Sequence, residues 1–249
     1  VAAIVFNEAE AKKLGIPKPE TWADLTKPIY KGKVVMPHPL SSGTGFLDVS
    51  AWLQAFGEAE GWKFMDGLHE NIWRYTHSGS QPATLAARGE AVVGIAFDIR
   101  AARELAQGAP VAIVFPAKGL GWEMNAFAVV KGAPHLEAAK KLADWAASDA
   151  AMQMYAETRA VAARPEFSKP VKNLPTNLAD LLMVNDFAWA RFQSRAHPGR
   201  VVQALRQQSR SEEVGLLSGQ CDGAACPAAS VGVDLRRVSA SSPAASRIG

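Results

Sequence analysis

The stretch Pro37-His38-Pro39-Leu40-Ser41-Ser42-Gly43-Thr44-Gly45-Phe46-Leu47-Asp48-Val49-Ser50-Ala51-Trp52-Leu53 carries the deciding pattern of this chain. Ahead of it, Lys33-Val34-Val35-Met36 is a short apolar run of the kind that forms a buried strand. Behind it, Phe46, Val49, Trp52, Leu53 and Phe56 recur at helical spacing as far as Gly57, a helix stop. Strand, Ser/Gly/Thr turn and helix in that order are the repeating unit of an α/β fold. The turn also gathers free backbone N–H groups, hydroxyl donors and the positive end of the helix dipole, which together suit an anion. Ser41, Ser42, Gly43 and Thr44 are therefore candidate ligands for a phosphate-like or carboxylate group. The plainer alternative is an N-cap that binds nothing. No Gly-Lys-Ser/Thr follows, so this is not a nucleotide P-loop, and the glycines do not form G-x-G-x-x-G.

Working outward, strand-like and helix-like segments alternate from Val1 to Ala190. Ala2–Phe6 reads as a strand and Ala9–Leu14 as a short helix closed by Gly15. Thr21 caps a helical turn through Leu25. A helix over Thr44–Phe56 and another over Glu60–Asn71 follow, and Ile72–Tyr75 is ambiguous. Ser80 is expected to cap a helix over Gln81–Arg88, with Pro82 tolerated in its first turn. Val92–Phe97, Val111–Phe115 and Ala126–Val130 read as strands, and Ile99–Gln107 as a helix stopped by Gly108. Leu136–Glu157 supplies one or two helices, and Asn177–Trp189 reads as a last amphipathic helix. The fold class is α/β.

Of the 249 residues, 48% are hydrophobic and 20% charged, as in an ordinary globular protein. The net charge of +3 is unevenly placed. Residues 1–190 carry 19 Lys plus Arg against 20 Asp plus Glu, and residues 191–249 carry 8 against 4. All 8 of the latter are Arg, and both cysteines, Cys221 and Cys226, lie there too. The body thus lacks a disulfide or thiolate metal site, and the basic character is no mark of nucleic-acid binding.

After about Gly215 the Ala/Ser/Gly/Arg-rich composition reads as disordered. A frameshift is the preferred explanation for the tail. Back-translating Arg191 to Val214 and moving the frame by one base permits A-S-N-R-E-R-I-L-A-E-W-S-K-R-Y-D-S-K-A-E-A-K-K followed by a stop. At the other end, Val1 opens in mid-pattern with no basic-then-apolar leader, so missing N-terminal sequence is expected.

Several further runs recur in a familiar order: T-W-A-D-L from Thr21, K-G-K-V-V-M-P from Lys31, S-S-G-T-G from Ser41 and T-H-S-G-S from Thr76. G-I-A-F-D-I-R-A-A from Gly94 follows, then G-A-P-V-A-I-V-F-P-A-K-G-L-G-W-E-M from Gly108. Over residues 1–190 the chain resembles the substrate-binding proteins of bacterial ABC importers. Its cluster holds ferric-iron, thiamine and 2-aminoethylphosphonate binders, and it most resembles the 2-aminoethylphosphonate branch, as does the reframed ending. The resemblance implies a type II periplasmic-binding-protein-like fold with two α/β lobes closing on ligand. Residues 1–6 would be a hinge strand, 7–130 the second lobe, 131–190 C-terminal helices and 191–249 the frameshifted tail. It also implies a periplasmic location, a small phosphonate as ligand and a membrane permease as partner. No cofactor, metal, catalysis or nucleic acid is implied, and the protein is expected to act as a monomer.

On that resemblance a second polar turn, Thr76, Ser78, Gly79 and Ser80, joins the first in holding one phosphonate; the alternative is capping by Ser80. Asp98 follows an apolar strand at its carboxyl end, where α/β sheets place ligand residues, and suits a ligand ammonium. It would otherwise be the N-cap of Ile99–Gln107. Trp122 and Glu123 offer an aromatic face and a carboxylate to the same amine, or else a packed Trp beside a solvated Glu. His38, His69, His77 and His135 lack metal-ligand spacing; His77 could touch the cleft, with a plain surface position the safer reading. Ferric-iron relatives use adjacent tyrosines, whereas Tyr30, Tyr75 and Tyr155 stand apart. The open alternatives are ferric iron, thiamine or polyamine as ligand, or a sensor domain of a regulator.

Overall fold

Four strands run one way and a fifth runs against them, and this decides which turns meet. The computed structural model describes residues 1–190, so the frameshift reading lies outside the described residues. In chain order the elements begin with β1 (Ala2–Asn7), α1 (Glu8–Leu14), β2 (Val34–Pro37), α2 (Gly43–Phe56) and α3 (Glu58–His69). They continue with β3 (Ile72–Thr76), α4 (Gln81–Ala87), β4 (Val93–Phe97), α5 (Asp98–Ala106) and β5 (Val111–Val114). The helices α6 (Leu136–Ala146), α7 (Asp149–Ala156) and α8 (Leu178–Leu181) follow. No helix among the described residues is long and apolar enough to cross a membrane.

The sheet order is β3-β2-β4-β1-β5. β2 pairs in parallel with β3 and β4, while β1 is antiparallel to β4 and β5. The carboxyl ends of β2, β3 and β4 therefore lie along one edge, together with the amino end of β1: Ala2 faces Phe97, and Pro37 faces Thr76. All six residues of β1 are buried, as expected of a strand covered on both faces. Alternation sends Ile4 and Phe6 to one face and Val5 to the other.

The first face packs on α2 and α3 through an aromatic cluster. Trp22 and Trp52 meet edge to face at 5.3 Å, and Trp52 meets Phe64 likewise at 5.1 Å. The buried Trp22 Nε1 donates to the carbonyl of Gly119 at 3.1 Å, so the indole keeps its hydrogen bond inside the core. The second face is lined by small residues, Ala83, Ala86, Ala96 and Ala101, which let α4 and α5 lie close on the sheet.

The turn chemistry holds at Thr21. Its Oγ1 accepts from Asp24 N and its own N–H donates to Asp24 Oδ2 at 2.8 Å, a capping box on a 3-10 turn. The ambiguous segment Ile72–Tyr75 is the edge strand β3, with Trp73 and Arg74 exposed.

Two expectations fail. Ala126–Val130 is no strand: among the described residues nothing pairs with it, and Phe127 and Val130 are 56% and 75% exposed. Apolar content suggests a strand, but ladder hydrogen bonds make one. The single helix over Asn177–Trp189 is also absent. α8 ends at Leu181, Leu182 turns extended, and a new helical turn starts at 187. Side chains from elsewhere hold the gap open. Gln54 Oε1 accepts from Asp186 N at 2.7 Å, Gln54 Nε2 donates to Asn185 Oδ1 at 3.0 Å, and Asn185 Nδ2 donates to the Trp122 carbonyl at 2.7 Å. Tertiary bonds of this kind outweigh the few tenths of a kcal/mol per residue that helix propensity offers.

Candidate functional site

At the carboxyl edge the chain leaves β2 through His38–Ser42 and enters α2. The N–H groups of Ser41 and Ser42 both donate to the carbonyl of His38, at 3.2 and 3.0 Å, which closes the turn. Ser42 stands at the N-cap with extended backbone, and its hydroxyl makes no capping bond. The amides of Gly43, Thr44 and Gly45 belong to the first helical turn and have no intrahelical acceptor. A Cβ on Gly45 would lie 2.8 Å from the carbonyl carbon of His38, so only glycine lets α2 start this close to the strand end.

The second turn leaves β3 through Thr76–Ser80. His38 N donates to the Thr76 carbonyl at 2.7 Å, which ties the roots of the two turns together. A Cβ on Gly79 would lie 2.8 Å from the Cβ of Thr44 and 3.3 Å from the Oγ of Ser42. The two turns are thus in van der Waals contact. His77 completes the bridge, its Nδ1 lying 2.8 Å from Ser41 Oγ. Of the two readings of His77, cleft contact and surface position, both apply: it is exposed and lies against the first turn. Its partner ring, His38, is 6.3 Å away, and burial together with the proximity of His77 holds the His38 imidazole below its usual range.

Not every expected residue faces outward. Thr76 is buried and its Oγ1 donates to the Ser78 carbonyl at 2.9 Å, so it staples its own turn. Ser80 occupies the cap position of α4 without a capping bond, in αR backbone, contrary to the capping role expected of it. Its hydroxyl instead lies 3.1 Å from that of Ser78, and both serines are exposed. Asp98 is not an N-cap either: Phe97 holds that position and Asp98 is the first residue of α5. Asp98 is buried, and its Oδ1 takes the amino group of Val1 at 3.0 Å, an ammonium on a carboxylate. Arg100 turns away to Glu104 at 2.7 Å and to Thr84 at 3.0 Å.

Trp122 follows its packed reading. Its Nε1 donates to the Met183 carbonyl at 2.8 Å and its ring meets Phe187 edge to face. Glu123 is exposed beside it. The residue that sequence reasoning passed over is Asp48, one helical turn inside α2 from Thr44. It is 1% exposed, and neither carboxyl oxygen has a hydrogen-bond partner among the described residues. Burial holds its carboxyl well above the usual carboxylate range; the amino group of Val1 opposes this and Glu123 adds to it. An Asp inside an apolar helix face was the available signal. Among the described residues no three His, Cys, Asp or Glu side chains are grouped to hold a metal ion.

Two hydroxyl-rich turns thus touch at the carboxyl ends of β2 and β3, the place where α/β sheets commonly carry ligand sites. The chain belongs to the bacterial extracellular solute-binding proteins, the family that matches residues 1–195. Its fold is that of the type II periplasmic binding proteins.

The periplasmic binding protein AfuA from Actinobacillus pleuropneumoniae, solved with exogenous fructose 6-phosphate bound, is 32% identical, with a TM-score of 0.61 over 76% of this chain and 57% of that one. The periplasmic binding protein P5PA is 28% identical, with a TM-score of 0.68 over 76% and 61%. An uncharacterized protein of Haemophilus influenzae is 40% identical over 143 residues, 57% of this chain and 41% of that protein. The chain thus spans about three fifths of the two solved relatives and two fifths of the Haemophilus protein.

Proposed function

We propose that this chain is the ligand-holding part of a periplasmic solute-binding protein that delivers a small phosphonate, of the 2-aminoethylphosphonate type, to the permease of an ABC importer. The observation that carries the reading is the contact of Gly79 with Thr44, which sets two hydroxyl-rich turns side by side at the amino end of α2. A phosphonate head there would take the first-turn amides of α2 and the hydroxyls of Ser41, Ser42, Ser78 and Ser80. Asp98 and Glu123 would hold the amine. Trp122 supports this end through packing, and Thr44 and Thr76 support the turns. The part between 7 and 130 acts as one lobe of a clamp, with β1 as its hinge strand and closure as its function.

A phosphorylated sugar is the second reading, favoured by the fructose 6-phosphate bound to AfuA. The oxyanion head is common to both ligands. Ferric iron fits less well. Tyr30 is buried with its hydroxyl on the Pro17 carbonyl at 2.7 Å, and the Tyr75 hydroxyl lies 2.8 Å from His69 Nδ1.

Amide chemical-shift mapping with millimolar 2-aminoethylphosphonate tests the reading, since it detects weak binding by a partial cleft. The largest shifts are expected at Gly43–Gly45 and Ser78–Ser80. Gly79→Val, which forces the turns apart, should weaken binding at least about tenfold, or about 1.4 kcal/mol. Shifts confined to other regions, or none, would overturn it.

A further inference from the structure

We propose that His77 is a positioning residue for the ligand's oxyanion: its Nδ1–H donates to Ser41 Oγ, so that the one hydroxyl hydrogen of Ser41 is left for the ligand. The proposal rests on the oxyanion reading above and adds to it which way that hydroxyl points and which ligand atoms suit it.

Strand order holds the pair together. Ser41 lies on the turn after β2 and His77 directly follows β3, its parallel neighbour. The bond from His38 N to the Thr76 carbonyl joins the roots of the two turns, and Ser41 N donates to the His38 carbonyl at 3.2 Å. Turns fixed in this way bring Ser41 Oγ and His77 Nδ1 to 2.8 Å although 36 positions separate them. Both residues are exposed, so the core does not depend on this bond.

A hydroxyl has one hydrogen to give, and an oxyanion only accepts. At the start of α2 the amides of Gly43, Thr44 and Gly45 all donate. If Ser41 gave its hydrogen to His77, its lone pairs would face the oxyanion, acceptor against acceptor. With the hydrogen on Nδ1 instead, Ser41 receives it on a lone pair and turns its own hydrogen to the ligand. The second turn repeats the device: Ser80 N donates to Ser78 Oγ at 3.4 Å, again a donor behind an exposed hydroxyl.

The neighbouring ring has the opposite assignment. Leu40 N donates to His38 Nδ1 at 3.2 Å, so that nitrogen is a bare acceptor and the ring is neutral, with its hydrogen on Nε2. Burial favours the same neutral form. His38 thus shapes the first turn, while His77 is the ring that serves the ligand. Its hydrogen exchanges with solvent, and no bond of the ligand changes. The selectivity that follows is for atoms that only accept. An ionised phosphonate or phosphate oxygen suits Ser41, and a head that presents an O–H there does not.

Nitrogen NMR of the full chain, isotope-labelled at histidine, with and without millimolar 2-aminoethylphosphonate, reads the hydrogen directly; the signal lost in His77→Asn assigns the ring. With ligand bound, Nδ1 of His77 should carry hydrogen and Nδ1 of His38 should not. A bare Nδ1 on His77 in the bound chain overturns the proposal and leaves the oxyanion reading standing. Affinity gives a second readout. His77→Ala should weaken binding about fivefold, the loss of one neutral hydrogen bond. His77→Asn, whose side-chain amide restores a donor near the Nδ1 position, should return affinity to within about twofold of wild type. On a Ser41→Ala background, His77→Ala should cost less than about twofold, because no hydroxyl remains to be positioned. An undiminished loss without Ser41, or one that His77→Asn does not recover, overturns the proposal. Absence of ligand-induced amide shifts at Gly43–Gly45 and Ser78–Ser80 in the wild-type chain overturns it together with the reading it rests on.

Discussion

Single side chains decide whether the polar edge of this sheet is one site or several unrelated turns. Gly79 does it by what it lacks, since any Cβ there would meet Thr44. Its glycine was visible in T-H-S-G-S, but the partner across the gap was not, because residues 44 and 79 meet only through strand pairing. The reverse holds for Trp122 and Thr76. Their chemistry suited a ligand, yet their donors are spent on Met183 and Ser78. Asp48 supplies a pH prediction at this scale. Burial raises its carboxyl in the folded state, so the native protein holds a proton that the unfolded chain releases above about pH 4. Stability from that proton is full below the unfolded value and is lost as pH rises toward the folded one. Urea titrations should show wild type losing up to about 1.4 kcal/mol per pH unit relative to Asp48→Asn across that window. Parallel pH profiles for the two proteins would show that the carboxyl is ionised in the fold.

Elements were legible where local signals agreed and were lost where distant groups intervened. α2 carried its own evidence: a strand before it, a Ser/Gly turn, apolar periodicity and a glycine stop. The segment after α8 had helical composition too, but Gln54 and Trp122 capture its backbone and hold it extended. Gln54→Ala should therefore loosen residues 182–186 by about 1 kcal/mol while leaving the melting temperature of the sheet nearly unchanged. Amide exchange reads this directly. Faster exchange at Asp186 is expected, and unchanged exchange there would mean that Gln54 does not hold the segment. The failed strand at Ala126–Val130 teaches the same lesson in the other direction. Its continuous apolar run suits a buried strand, but among the described residues no neighbour offers a ladder.

At the scale of the molecule, the sheet order places protection and function at different levels. β1 lies between β4 and β5 with every residue buried, and β2 and β4 flank the same core. The polar turns sit at the edge of that rigid block, where loops can adapt without disturbing it. Native-state hydrogen exchange should rank β1, β2 and β4 slowest, with 122–130 among the fastest of the described residues. Exchange of β1 at the rate of that exposed stretch would show that the antiparallel insertion is not part of the stable core.

The sequence by itself determined the α/β alternation, a helix running from the Ser/Gly/Thr turn to Phe56, the cap at Thr21 and the family, because these rest on contacts between residues near each other in the chain or on motifs in order. Only the tertiary structure decided that the two Ser-rich turns touch, that Thr76 and Trp122 are occupied, and that Asp48 is enclosed without a partner among the described residues. The meeting of the two turns depends on strand order β3-β2-β4-β1-β5, which joins residues tens of positions apart. Local periodicity carries no record of such pairings. A buried carboxyl's cost, likewise, exists only once the surrounding core has closed.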